Sequence, residues 1–186
     1  VFDSMRHAVA HGSTFGPNDL ASAAGLATLS VLDDEDLVER AARLGERLLD
    51  LTKPLVERHE IVRDVRGVGM MWAIEFGRPS GAAARRLWDA VEAREPGLFT
   101  QLVVGPLFHE HRIVTQAAGH NMNVLKALPP LVTEESELER FAAALDDVIG
   151  RAARFPRAMA RFGLGVARRR ARRRPPPATT GATTSS

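Results

Sequence analysis

Ile61-Val62-Arg63-Asp64-Val65-Arg66, then Gly67-Val68-Gly69, then Met70-Met71-Trp72-Ala73-Ile74-Glu75-Phe76, is the stretch that decides the fold class. Both flanking runs are short and rich in β-branched and apolar residues. The glycine pair between them allows a tight reversal, so the stretch reads as two strands, Ile61–Arg66 and Met70–Phe76, meeting at Gly67–Gly69. Upstream, Leu37, Ala41, Leu44, Leu48, Leu51 and Leu55 recur at alternating steps of four and three, with Glu39, Arg40, Arg43, Glu46, Arg47 and Asp50 on the other side. That is an amphipathic helix, which Pro54 should end or kink near Thr52. The acidic cluster Asp33, Asp34, Glu35 and Asp36 suits the positive end of this helix.

Before it, Asp19–Leu32 is small and apolar on nearly every helical face, the pattern of a helix buried on most sides. Downstream, Ala82–Ala93 is helical and stops at Pro96-Gly97; Leu98–His111 is a second, mostly apolar helix containing Gly105-Pro106. Arg112–Gln116 and Asn123–Ala127 can pair as strands. After Pro129-Pro130, Thr133, with Ser136 or Glu135 nearby, can cap the helix Glu134–Gly150. Helices and antiparallel strand pairs in this order make an α+β chain.

The chain has 186 residues, about one domain, and 45% hydrophobic residues can fill a core. It has no Cys, which excludes disulfides, thiolate catalysis and Cys-built zinc sites. Apolar runs are far short of the roughly 18 residues of a spanning helix, so a transmembrane protein is not expected and a cytoplasmic one is. The chain begins at Val1, with no apolar segment following a basic one, so we expect no secretory signal and a true N-terminus lying upstream.

Charge is divided unevenly. Residues 1 to 150 carry 15 Lys and Arg against 23 Asp and Glu, a net of −8 (15 − 23), while residues 151 to 174 carry 10 Arg and no acid. The body is acidic and only the tail is basic. From Arg172 onward, through Pro175-Pro176-Pro177 and a Thr/Ser/Ala/Gly end, the composition cannot offset its ordering entropy and disorder is expected.

The chemistry-bearing string is His11-Gly12-Ser13-Thr14-Phe15-Gly16-Pro17-Asn18, directly ahead of Asp19-Leu20-Ala21. Two glycines flank two hydroxyls, so backbone N–H and side-chain O–H groups could converge on an anion such as a phosphate at a helix N-terminus. An ordinary turn capping the helix through Asn18 or Asp19 is the competing reading. His109, His111 and His120 lack a carboxylate constellation at ligand spacing, so no metal site is expected. Trp72, Trp88, Phe99, Phe108, Met70 and Met71 read as core. Arg66 can bridge a domain junction or pair with Asp64 or Glu75.

The stretch HGSTFGPNDLASAAGLATLSVL resembles the H-x-S-T-F-G-x-N-x-L-A segment of class-III pyridoxal-phosphate-dependent aminotransferases, the ornithine and ω-amino-acid type. DLVERAARLGERLL, DVRGVGMMWAIEF and LKALPPLVTEESELERF are similar to later segments of that family in the same order, so the resemblance runs from Phe2 to about Ile149. It implies the C-terminal portion of a fold-type-I enzyme: residues 1–32 ending the large cofactor-binding domain, 33–57 an interdomain helix, and 58–150 the small C-terminal domain. A basic helical extension, 151–171, and a disordered tail, 172–186, would follow. The implied function is transfer of an amino group between an amino donor and a keto acid or aldehyde, by a homodimer using pyridoxal 5'-phosphate. Thr14, with Ser13 beside it, would bind the cofactor phosphate of the neighbouring subunit.

Two departures stand out. The family's Schiff-base lysine, and the acid that keeps the cofactor ring protonated, precede the HGSTFG segment, and neither Lys53 nor Lys126 matches that lysine's position. No catalytic residue is therefore expected within this chain. Lys126 falls where many members have an arginine clamping a substrate carboxylate; lysine keeps the charge and loses the fork. A solvated strand lysine is the plain alternative. Two other readings compete: a dimerisation remnant without activity, and a protein binding nucleic acid, an anionic membrane or another anionic polymer through its arginine tail. The tail has no aromatic interleaving or groove-reading motif, so nucleic-acid and membrane partners are not expected.

Overall fold

The computed structural model describes residues 18–120 and 122–153. The expected basic extension and tail therefore lie outside the described residues, apart from the end of the last helix. Helix α1 (Asp19–Asp34) leads into α2 (Leu37–Thr52) and the short α3 (Pro54–Arg58). Strands β1 (Val62–Val68) and β2 (Met71–Phe76) follow, then α4 (Ala82–Glu92), α5 (Leu98–His111), β3 (Gln116–Ala117), β4 (Val124–Ala127) and α6 (Glu135–Ala152).

The strands form one antiparallel sheet in the order β1-β2-β4-β3. Alternation decides its two faces. Val65, Trp72, Ile74, Phe76, Leu125 and Ala127 are buried under α2, α5 and α6, where Leu48, Val103, Leu107, Leu145 and Ile149 are almost wholly enclosed. Trp72 stacks edge-on against Phe141, with centroids 5.3 Å apart, and Phe99 meets Phe76 and Trp88 at 5.1 and 5.2 Å. The Trp72 indole donates to Thr52 Oγ1 at 2.9 Å, and that hydroxyl donates to the Leu48 carbonyl at 2.6 Å, so both buried polar groups are satisfied.

Several expectations change. The glycine-centred connection is displaced by two residues: β1 runs through Gly67 to Val68, and the reversal falls at Gly69-Met70, where Gly69 takes φ +53°. Strand β3 is only two residues long. Helix α6 begins at Glu135 without a side-chain cap; Thr133 is buried instead, its carbonyl accepting from Arg40. The acids Asp33 and Asp34 finish α1, and Asp36 sits in left-handed backbone (φ 48°) ahead of α2. Met71 (62% exposed) and Phe108 leave the core because each faces away from the buried layer.

The largest departure is α1. Its composition predicts burial on most sides, yet none of its residues is buried, and Leu20 is 82% exposed. Among the described residues only α2 packs substantially against it.

Candidate functional site

On the sheet face opposite the helices Asp64, Arg66, Val68, Met71 and Gln116 are exposed, Ala73, Glu75 and Lys126 half-buried and Val124 buried, and these residues fall into cross-strand rows. Register pairs Arg66 with Ala73, Ala73 with Lys126, and Lys126 with Gln116, so these four side chains form one row on that face. The next row holds Asp64, Glu75 and Val124; the row on the other side holds Val68 and Met71.

Two cations therefore share a row, and their surroundings differ. Arg66 Nη1 donates to Asp64 Oδ2 and to Glu75 Oε2, both at 2.8 Å, and these hydrogen bonds raise its pKa above the ordinary guanidinium value. Of the two readings of Arg66, the structure shows the ion pair with Asp64 and Glu75, and its charge is spent locally. Lys126 is half-buried, and its side chain makes no hydrogen bond or ion pair with the described residues. Ala73 leaves room beside it. An uncompensated ammonium on an open, partly apolar face attracts an anion, and the exposed methionine and valine nearby offer apolar surface to the remainder of such a molecule.

The loop after β4 is fixed from a distance. Arg40, which sequence periodicity assigns to the wet side of α2, donates to the carbonyls of Leu131 and Thr133 and to Glu134 Oε1, each at 3.1 Å. It fastens the segment following Pro129-Pro130, and with it the end of β4. No local pattern marks this role, because its partners lie about ninety positions away.

The remaining candidates divide as follows. Ser13 and Thr14 lie outside the described residues. Asn18 Oδ1 accepts from Ala21 N at 3.1 Å, which realises the helix cap expected there. Among the described residues no cluster could hold a metal ion; His111 instead pairs with Asp147 at 3.2 Å. Lys53 is exposed at the end of α2, and Lys126 lies on strand β4. What the described residues offer is the sheet face that carries Lys126.

A family model, Aminotransferase class-III, matches residues 2–149. The chain belongs to the class-III aminotransferase family. The acetylornithine aminotransferase of Methanothermobacter thermautotrophicus is 36% identical over 140 residues, covering 75% of this chain and 30% of that protein. The mitochondrial ornithine aminotransferase of Oryza sativa subsp. japonica is 32% identical, covering 75% of this chain and 26% of its own length. Among solved structures, an amine transaminase from an uncultivated Pseudomonas species in its PLP-bound form superposes with a TM-score of 0.62 at 27% identity, over 80% of this chain and 31% of that one. The expected α+β, fold-type-I class stands. This class-III chain spans less than a third of the length of these relatives.

Proposed function

We propose that this class-III segment is the C-terminal portion of a pyridoxal-phosphate-dependent aminotransferase, acting as a homodimer to move an amino group from an amino donor to a keto acid or aldehyde. The observation that carries the reading is the family match over residues 2–149. Residues 1–32 then close the large domain, which accounts for the uncovered apolar faces of α1; residues 33–57 connect to the small domain, 58–150. The cofactor, when bound, supplies the electron sink for amino transfer. Residues of this chain contribute binding: Ser13 and Thr14 hold the cofactor phosphate of the neighbouring subunit, and Lys126 holds a carboxylate of the substrate. The Schiff-base lysine belongs to the preceding part of such an enzyme.

A chimera tests this. Residues 2–149 replace the matching segment of the Methanothermobacter enzyme, and amino transfer from a carboxylate-bearing donor is assayed. Retained transfer is expected, and Lys126→Met should raise KM while changing kcat little, as loss of uniform binding does. A folded, dimeric, cofactor-loaded chimera with no transfer would defeat the reading.

A further inference from the structure

The row holding Lys126 ends at Gln116, on the edge strand β3. The two residues are direct cross-strand partners, which places their Cβ atoms about 4.5–5.5 Å apart on the same face. Gln116 is exposed, and its side chain, like that of Lys126, makes no hydrogen bond with the described residues. On the other flank Ala73 carries no polar atom beyond its backbone, and Arg66 is held by Asp64 and Glu75. The one uncommitted polar neighbour within the row is therefore the Gln116 amide.

We propose that Gln116 is the second donor to the anionic group that Lys126 holds, so that the pair grips a substrate carboxylate through both oxygens. The proposal rests on the assignment of Lys126 as a substrate-binding residue and goes beyond it. A lysine ammonium is a point charge without a planar fork, so alone it fixes neither the plane nor the rotation of a carboxylate. A primary amide beside it adds a directed N–H donor to the second oxygen. Charge comes from one strand and direction from its neighbour, dividing between two residues what an arginine fork does with one. The ladder bonds of β3 and β4 hold the spacing. Preference for a carboxylate over the corresponding neutral amide comes from the Lys126 charge, because the Gln116 amide can also turn its oxygen to accept from an NH2 group.

Residue-resolved NMR of the full 186-residue chain tests this directly, with glutarate as the probe. The side-chain amide of Gln116 and the terminal methylene of Lys126 should shift along one saturable curve. Gln116→Leu should weaken glutarate binding at Lys126 about threefold to tenfold, the loss of one solvent-exposed hydrogen bond of ordinary net strength. Gln116→Glu, which sets a like charge against the probe, should abolish it. Lys126→Met should remove the shift at Gln116. Glutarate bound to the arginine tail reports at other resonances and does not interfere. A saturable shift at Lys126 with a motionless Gln116 amide, or an unchanged affinity in Gln116→Leu, overturns the proposal and leaves Lys126 standing. No saturable shift at Lys126 overturns both assignments.

Discussion

Gly45 on α2 lies against the backbone of Gly69 at the β1–β2 reversal, so closely that a Cβ on Gly45 would fall within contact distance of the Gly69 carbonyl and 2.7 Å from its Cα. Helix and hairpin approach here backbone to backbone. The contact fixes α2 against the end of the sheet that carries Val68 and Met71.

Gly45→Ala should therefore destabilise the chain. Alanine gains about 1 kcal/mol of helix propensity over glycine, but overpacking against immobile backbone costs about 1–3 kcal/mol and more where nothing can yield. We expect the urea midpoint to fall. A rise would mean that α2 can slide away from the hairpin.

Arg112 ends α5 in left-handed backbone, φ 60°, and its side chain makes no hydrogen bond or ion pair with the described residues. Glycine favours this helix-terminal conformation. Arg112→Gly should raise stability by about 0.5–1 kcal/mol, and Arg112→Val should lower it, because a β-branched residue resists positive φ. Both are read from equilibrium denaturation.

Thr52→Val keeps the shape of the side chain but takes the acceptor from the buried Trp72 indole. The orphaned N–H should cost about 1–3 kcal/mol, whereas Thr52→Ser should retain most of the bond. Tryptophan fluorescence and denaturation on the same samples separate the two variants.

Burial pushes the Asp146 carboxyl up, but hydrogen bonds from His59 and Arg58, with their positive charge, outweigh it and hold its pKa below the ordinary aspartate value of 3.8. Since the folded pKa is depressed, the stabilisation is present above pH 3.8 and is lost as pH falls through the folded value. Acid titration of the wild type should show this loss, and Asp146→Asn should flatten the curve in that range. An unchanged acid limb in the variant would remove Asp146 from the account.

In the cofactor-loaded chimera, Thr14→Ala should lower cofactor affinity about tenfold to a hundredfold, as expected for one charge-assisted hydrogen bond to phosphate, with little effect on the turnover of saturated enzyme. Thr14→Ser should recover most of it. Equilibrium dialysis of the cofactor decides.

The sequence by itself determined the order of the long helices and the strand pairs, the α+β class and the family. Periodicity and turn chemistry are local properties, and the Leu37–Leu55 stripe, the paired runs around Gly67–Gly69 and the breaks at Pro54 and Pro129-Pro130 are written in adjacent residues. It also singled out Lys126, through its distance from the Pro129-Pro130 pair. Tertiary structure alone decided what surrounds that lysine. Gln116 became its neighbour only when β3 paired with β4 in one register, and Arg66 was withdrawn from the competition only when β1 and β2 brought Glu75 to it. Arg40 looked like a solvated helix residue until folding carried the segment after Pro130 within its reach. Strand register and long-range contacts depend on how the whole core packs, and no short window of sequence contains that information.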